Sequence, residues 1–114
     1  MQSRLIDPAG PAIPALGLGC MGMSTNYGPA DQDESLATLH RALELGVVHF
    51  DTSASYGEGR NEELLARFLP GNRDRVFLAT KFAIRRDGGV HRVDSSPGWP
   101  GSPARTRCAA SAWT

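Results

Sequence analysis

The chain has 114 residues, a formal net charge of zero and 21% charged residues, an ordinary composition for one small domain. That balance gives no electrostatic case for nucleic acid or an anionic membrane as partner, no apolar run approaches the ~18 residues that span a bilayer, and the opening M-Q-S-R-L-I-D-P has no apolar signal core. Cys20 and Cys108 lie far apart and match no metal spacing, so the expectation is a cytoplasmic protein with neither a disulfide nor a metal centre.

Residues 1–14 carry a D-P-A-G-P-A turn between short apolar pieces, Leu5 and Ile6 on one side and Ile13 on the other. This predicts a small hairpin. Ile13 to Cys20 reads as the first buried strand, and Cys20 as a small packing residue that could also line a site. A loop rich in glycine, serine and asparagine follows, up to Ala30.

Within that region Gly17, Gly19 and Gly22 fit G-x-G-x-x-G by letter. A Rossmann-type dinucleotide module would use them, with Asp51 as the ribose-binding acid. That fingerprint works only where a helix opens at the glycines and receives pyrophosphate on its N-terminus. Here Tyr27, Gly28 and Pro29 intervene and the helical pattern begins near Asp33, which argues against the module.

Asp33 to Leu45 is the clearest helix. Leu36, Leu39 and Leu43 recur at i, i+3 and i+7, with Asp31 or Asp33 as cap and Gly46 as stop. His40 falls beside that stripe and is expected on the helix surface. Val47, Val48 and Phe50 are strand formers, and His49 alternates with them as a partly buried strand residue. The strand runs into a polar, small-residue turn, D-T-S-A-S-Y-G from Asp51 to Gly57. In α/β proteins ligands collect at the carboxyl ends of parallel strands. An acid at Asp51 and a phenol at Tyr56 are therefore a candidate proton-handling pair. The competing reading is that Asp51 caps a turn and Tyr56 packs beside it.

Glu58 to Phe68 predicts the second helix, with Asn61 as a cap, Leu64, Leu65 and Phe68 as the apolar face, and Pro70 and Gly71 as the stop. Val76 to Phe82 predicts a third strand. Lys81 stands at its carboxyl end, either as a solvated strand end or as a cation placed beside the phenol. The order hairpin, β, α, β, α, β is the α/β opening of a (β/α)₈ TIM barrel, a fold that takes roughly 250 residues when whole. About five βα units are absent from 114 residues, so an incomplete barrel is expected.

Three segments carry a family resemblance: P-A-L-G-L-G-C-M-G-M-S, then D-T-S-A-S-Y-G with N-E-E-L-L, then F-L-A-T-K-F. Their content and order resemble the aldo-keto reductase family over roughly Ile13 to Ser96, with Ser53 where the family usually has alanine. The resemblance implies reduction of small carbonyl substrates with a nicotinamide cofactor, usually NADPH, and an N-terminal hairpin closing the bottom of a barrel. It implies Tyr56 as the general acid, Lys81 as the cation that makes the phenol's proton easier to give up, and Asp51 as the group that holds Lys81. It places Gly19, Cys20, Met21 and Asp51 near the nicotinamide ribose. The family's further catalytic histidine, on the next strand, and its main pyrophosphate and adenosine contacts, in the C-terminal half, fall outside this stretch. His91, in an expected loop with Gly88 and Gly89, is no substitute for that histidine. Binding of NADP(H) and turnover by these residues alone are therefore not expected. Three parallel strands with two helices would also leave an open sheet edge, so the chain alone is expected to fold poorly or aggregate.

Residues 97–114 break the pattern. Pro97, Pro100 and Pro103 with Gly98 and Gly101 stand where a helix is due. Shifting the reading frame by one base permits R-V-A-R-V-A-C-E-D-S-L-R-R-L-G-V-D from residue 98 onward. Trp99–Pro100 forces its first alanine and Trp113–Thr114 its final aspartate, because tryptophan has one codon; the other letters depend on codon choice. The expectation is a partial barrel over residues 1–96 and a frameshifted or disordered tail over 97–114. A non-catalytic fragment that completes its sheet against a partner barrel is a further alternative.

Overall fold

A computed structural model describes residues 2–5, 7–24, 27–81, 83–87 and 90–94. Strands β1 (Ser3–Leu5) and β2 (Ala12–Pro14) pair antiparallel, Ser3 opposite Pro14 and Leu5 opposite Ala12. The Asp7 side chain closes their turn by accepting from the Ala9 amide at 2.7 Å, as short acidic side chains do in turns. The hairpin is as expected, but it takes Ile13 with it. The strand expected from Ile13 begins only at β3 (Gly17–Gly19).

Helix α1 spans Gln32–Glu44. Asp31 caps it, accepting from the amides of Asp33 and Glu34 at 2.9 and 2.8 Å, which satisfies donors that have no partner inside the helix. Gly46 ends it in the left-handed region at φ 86°, a backbone conformation that glycine adopts without the strain a side chain would bring. His40 is exposed as expected and sets its ring edge against Phe68, with 5.0 Å between centroids.

Strands β4 (His49–Asp51) and β5 (Phe77–Ala79) complete a parallel sheet of order β3-β4-β5. Gly19, Asp51 and Ala79 stand in one row, and Leu18, Phe50 and Leu78 in the row before. The third strand is shorter than the expected Val76–Phe82, and Phe82 lies outside the described residues. Helix α2 spans Arg60–Phe68. Leu39 and Leu43 of α1 meet Leu64, Leu65 and Phe68 of α2 and Phe50 of β4 in one buried cluster, with Leu18, Leu36 and Leu78 packed against it. Burying such side chains stabilises by about 1.5–3 kcal/mol each. This βαβαβ order, each strand parallel to its neighbour, is the start of a (β/α)₈ barrel. β3 and β5 are its edges among the described residues.

Two expectations need correction. Helix α2 starts two residues late, because Gly57, Glu58 and Gly59 all have positive φ (57°, 59° and 95°). Three left-handed residues in a row cannot continue a helix, and the N-cap is Gly59 rather than Asn61. His91, expected in a loop, lies in β7 (Val90–Val93), opposite Arg86 of β6 (Ile84–Asp87). The tail expectation for residues 97–114 falls outside the described residues.

Candidate active site

The carboxyl ends of β3, β4 and β5 form the mouth of the sheet. Asp51 is the last residue of β4. Lys81 follows β5 by two residues and turns its ammonium onto Asp51, with Nζ donating to the two carboxylate oxygens at 2.7 and 2.5 Å. A third donation goes to the Thr52 carbonyl at 3.1 Å. All three ammonium hydrogens can thus be used.

Tyr56 enters from the turn after β4, and its ring centroid lies 4.9 Å from Lys81 Nζ, within cation–π range. The backbone of this turn explains the Y-G pair. Gly57 is buried at φ 57°, and a Cβ there would come 2.9 Å from the Ser24 Cβ. Both conformation and space demand glycine, and that tight contact fixes where Tyr56 stands. The acid, phenol and amine named from sequence are therefore brought together.

Burial pulls the Lys81 ammonium towards its neutral form. The hydrogen bond to Asp51 and the neighbouring Tyr56 outweigh it, so the pKa is raised from the ordinary 10.5. Lys81 is held as a cation.

The β3 side of the mouth supplies Gly19, Cys20 and Met21. Gly19 pairs in register with Asp51, is exposed, and a Cβ on it would meet nothing within 4 Å. Among the described residues, the space beside Gly19 is open. Cys20 has its amide on the Asp51 carbonyl at 2.9 Å and its side chain fully buried in the core. Burial, with the Asp51 charge adding to it, pushes this thiol up to about 12, so it is an inert packing group. Met21 is half-buried in a single 3₁₀ turn over Met21–Met23. No long helix opens at the glycines: Gly17–Gly19 are strand and α1 begins at Gln32, which removes the pyrophosphate-binding geometry of the Rossmann reading. Among the described residues no cluster of histidine, cysteine or carboxylate could hold a metal ion, and no helix is long and apolar enough to cross a membrane.

Sequence reasoning missed a buried polar layer beneath the mouth. Asn61, read as a cap, is fully buried. It accepts from the Thr52 hydroxyl at 2.6 Å and donates to the Cys20 carbonyl at 2.7 Å and to Ser24 Oγ at 2.8 Å. Glu62, also buried, accepts from the Thr80 hydroxyl at 2.9 Å. A signal was present. Asn61 precedes Leu64 by three residues and Leu65 by four, which puts it on the apolar face of α2, and a buried amide there must find partners.

Comparison with known proteins fits this geometry. The model of the Aldo/keto reductase family matches residues 15–111. An aldo-keto reductase of Schizosaccharomyces pombe, named for NADP(+), is 42% identical over 77 residues, covering 66% of this chain and 23% of its own length. The uncharacterized oxidoreductase YqkF of Bacillus subtilis is 33% identical over 105 residues, 92% of this chain and 31% of its own. Among solved structures, the holo form of an aldo-keto reductase from Bacillus halodurans superposes with a TM-score of 0.78 at 27% identity, covering 96% of this chain and 36% of that one. An aldo/keto reductase from Klebsiella pneumoniae in complex with NADP and acetate gives a TM-score of 0.54 at 33% identity, covering 60% of this chain and 24% of that one. The chain thus spans about a quarter to a third of the length of the curated relatives it matches.

Proposed function

The chain belongs to the aldo/keto reductase family, and from that premise we propose that it carries the proton-handling part of an NADPH-dependent carbonyl reductase. One observation supports this above the others: Lys81, paired with Asp51 through both carboxylate oxygens, lies against the ring of Tyr56 at the open end of the sheet. In this reading Tyr56 gives its hydroxyl proton to the carbonyl oxygen of a small aldehyde or ketone. Lys81 offsets the negative charge that develops on the phenol. Asp51 and the Thr52 carbonyl hold Lys81 in the one direction that serves this. A positioned acid of this kind contributes about 10²–10⁴ in rate.

The open face beside Gly19 and Asp51 is the place that fits a nicotinamide ring, and Gly19, Met21 and Asp51 are the residues that would hold it, with Cys20 contributing backbone only. When bound, NADPH supplies the hydride. The described residues offer this grip on one end of the dinucleotide. Turnover by these 114 residues alone is therefore not expected, and the contacts that complete the site would come from a C-terminal half such as the relatives possess.

The experiment has two arms. The purified chain is mixed with NADPH and 4-nitrobenzaldehyde and followed at the nicotinamide absorbance; no turnover above blank is expected. Residues 15–94 are then joined to the remaining two-thirds of the Bacillus halodurans relative. That hybrid should reduce the aldehyde, and Tyr56→Phe should lower kcat by about 10² or more. A hybrid indifferent to Tyr56→Phe would remove the phenol from the reaction.

The out-of-frame reading of residues 97–114 stands beside this as a proposal about the gene. DNA across codons 95–114 that no one- or two-base change restores to a family-like frame would end it.

A further inference from the structure

Asn61 and Glu62 are consecutive residues in the first turn of α2, and both are buried. Between them they reach the carboxyl ends of all three parallel strands. Asn61 bonds Cys20 after β3 and Thr52 after β4. Glu62 bonds Thr80 after β5. Two of these partners are linked directly to Lys81, one by a hydrogen bond and one by the peptide bond. Thr52 presents its hydroxyl to Asn61 and its carbonyl to Lys81 Nζ. Thr80 immediately precedes Lys81.

From this geometry we infer that the Asn61–Glu62 pair is a positioning element for Lys81, a clasp that sets the amine's direction from beneath the mouth. The inference rests on reading Lys81 as a functional amine. Asparagine suits the centre of the clasp because one short side chain must accept from Thr52 and donate twice, to the Cys20 carbonyl and to Ser24. Aspartate would bring no donor to the Cys20 carbonyl. Leucine would leave that carbonyl and the Thr52 hydroxyl buried without partners. Glutamate at 62 has one oxygen on Thr80 and its other oxygen, Oε2, buried with no partner among the described residues. Both groups act on Lys81 through the threonines and touch no reacting atom.

Chemistry of the chain offers a clean test, because Lys81 is its only lysine. In protein labelled with ¹³C-lysine, the ε-methylene gives one titration curve in the full 114-residue chain. The titratable groups around it are Asp51 on β4, Tyr56 in the following turn and Cys20 after β3. Wild type should titrate above the ordinary lysine value of 10.5. Thr52→Val, which removes the hydroxyl but keeps the shape, should lower that midpoint. Thr52→Ser should restore it, and Asn61→Ala should lower it as Thr52→Val does. Leu43→Ala, a core truncation away from the clasp, should depress the melting temperature and leave the Lys81 midpoint in place. If Asn61→Ala fails to fold, the two Thr52 variants decide the matter. A Thr52→Val midpoint equal to wild type overturns the clasp, as does an equal shift in Leu43→Ala. A wild-type midpoint at or below 10.5 overturns the reading of the site itself, and the clasp with it.

Discussion

The two faces of the parallel sheet are built to different ends. On one face Leu18, Phe50 and Leu78 press against α1 and α2, and Phe50 and Phe68 meet with ring centroids 5.3 Å apart, both fully buried. On the other stand Gly17, His49 and Phe77 in one row and Gly19, Asp51 and Ala79 in the next. There Phe77 is 38% exposed, and the His49 ring leans edge-on against it with its Nε2 unpartnered among the described residues. The helix face is finished. The other face carries the acid and is the one a barrel would enclose. The comparison separates what holds this unit together from what it presents.

Cutting back one side chain on each face would break or sharpen that contrast. Phe50→Ala should cost about 3–5 kcal/mol, a large share of the stability of a small domain. Phe77→Ala should cost about 1 kcal/mol, since little water-free contact is lost. Urea unfolding followed by far-UV circular dichroism reads both; equal losses would mean that the second face is as closed as the first.

A smaller effect concerns the ion pair at the boundary of the two faces. Asp51 and Lys81 side chains are 38% and 40% exposed, so solvent screening limits the pair to about 0–1 kcal/mol. Lys81 titrates higher in the folded chain than in the unfolded one. Its contribution is therefore complete below the ordinary lysine value and is lost as pH rises through the folded value. Thermal melts of wild type and Asp51→Asn should differ near neutrality and converge in strong alkali. A difference that grows with pH would assign the stabilisation to another group.

How much of this was written in the residues follows the same division. The helix face was legible because Leu36, Leu39 and Leu43 repeat at helical spacing and because β-branched Val47 and Val48 precede Phe50. Asp51, Tyr56 and Lys81 were legible only as residues at strand ends and through family resemblance; neither says that Nζ reaches both carboxylate oxygens. The start of α2 was missed because the left-handed Glu58 has no marker in its side chain, although glycines on both sides hinted at it. Asn61 was misread because asparagine near a helix start is commonly a cap, and the apolar spacing that placed it inward was not extended back one turn. The hairpin of β6 and β7 escaped notice because Arg85, Arg86, His91 and Arg92 carry no alternating apolar pattern. Ala83, left-handed at φ 69° just before it, is another position that sequence does not flag.

The central claim is that one amine and one phenol meet at the carboxylate end of this sheet. The most direct measurement is a nuclear Overhauser spectrum of ¹³C-lysine-labelled chain, in which every filtered signal belongs to Lys81. Tyr27→Phe removes the only other tyrosine. The account predicts cross-peaks from the Lys81 ε-methylene to the Tyr56 ring, 4.9 Å from Nζ at its centroid, with ring-current shifts that disappear in Tyr56→Leu, which removes the ring. Cross-peaks absent in a folded chain, or lost with Tyr27→Phe, would contradict it.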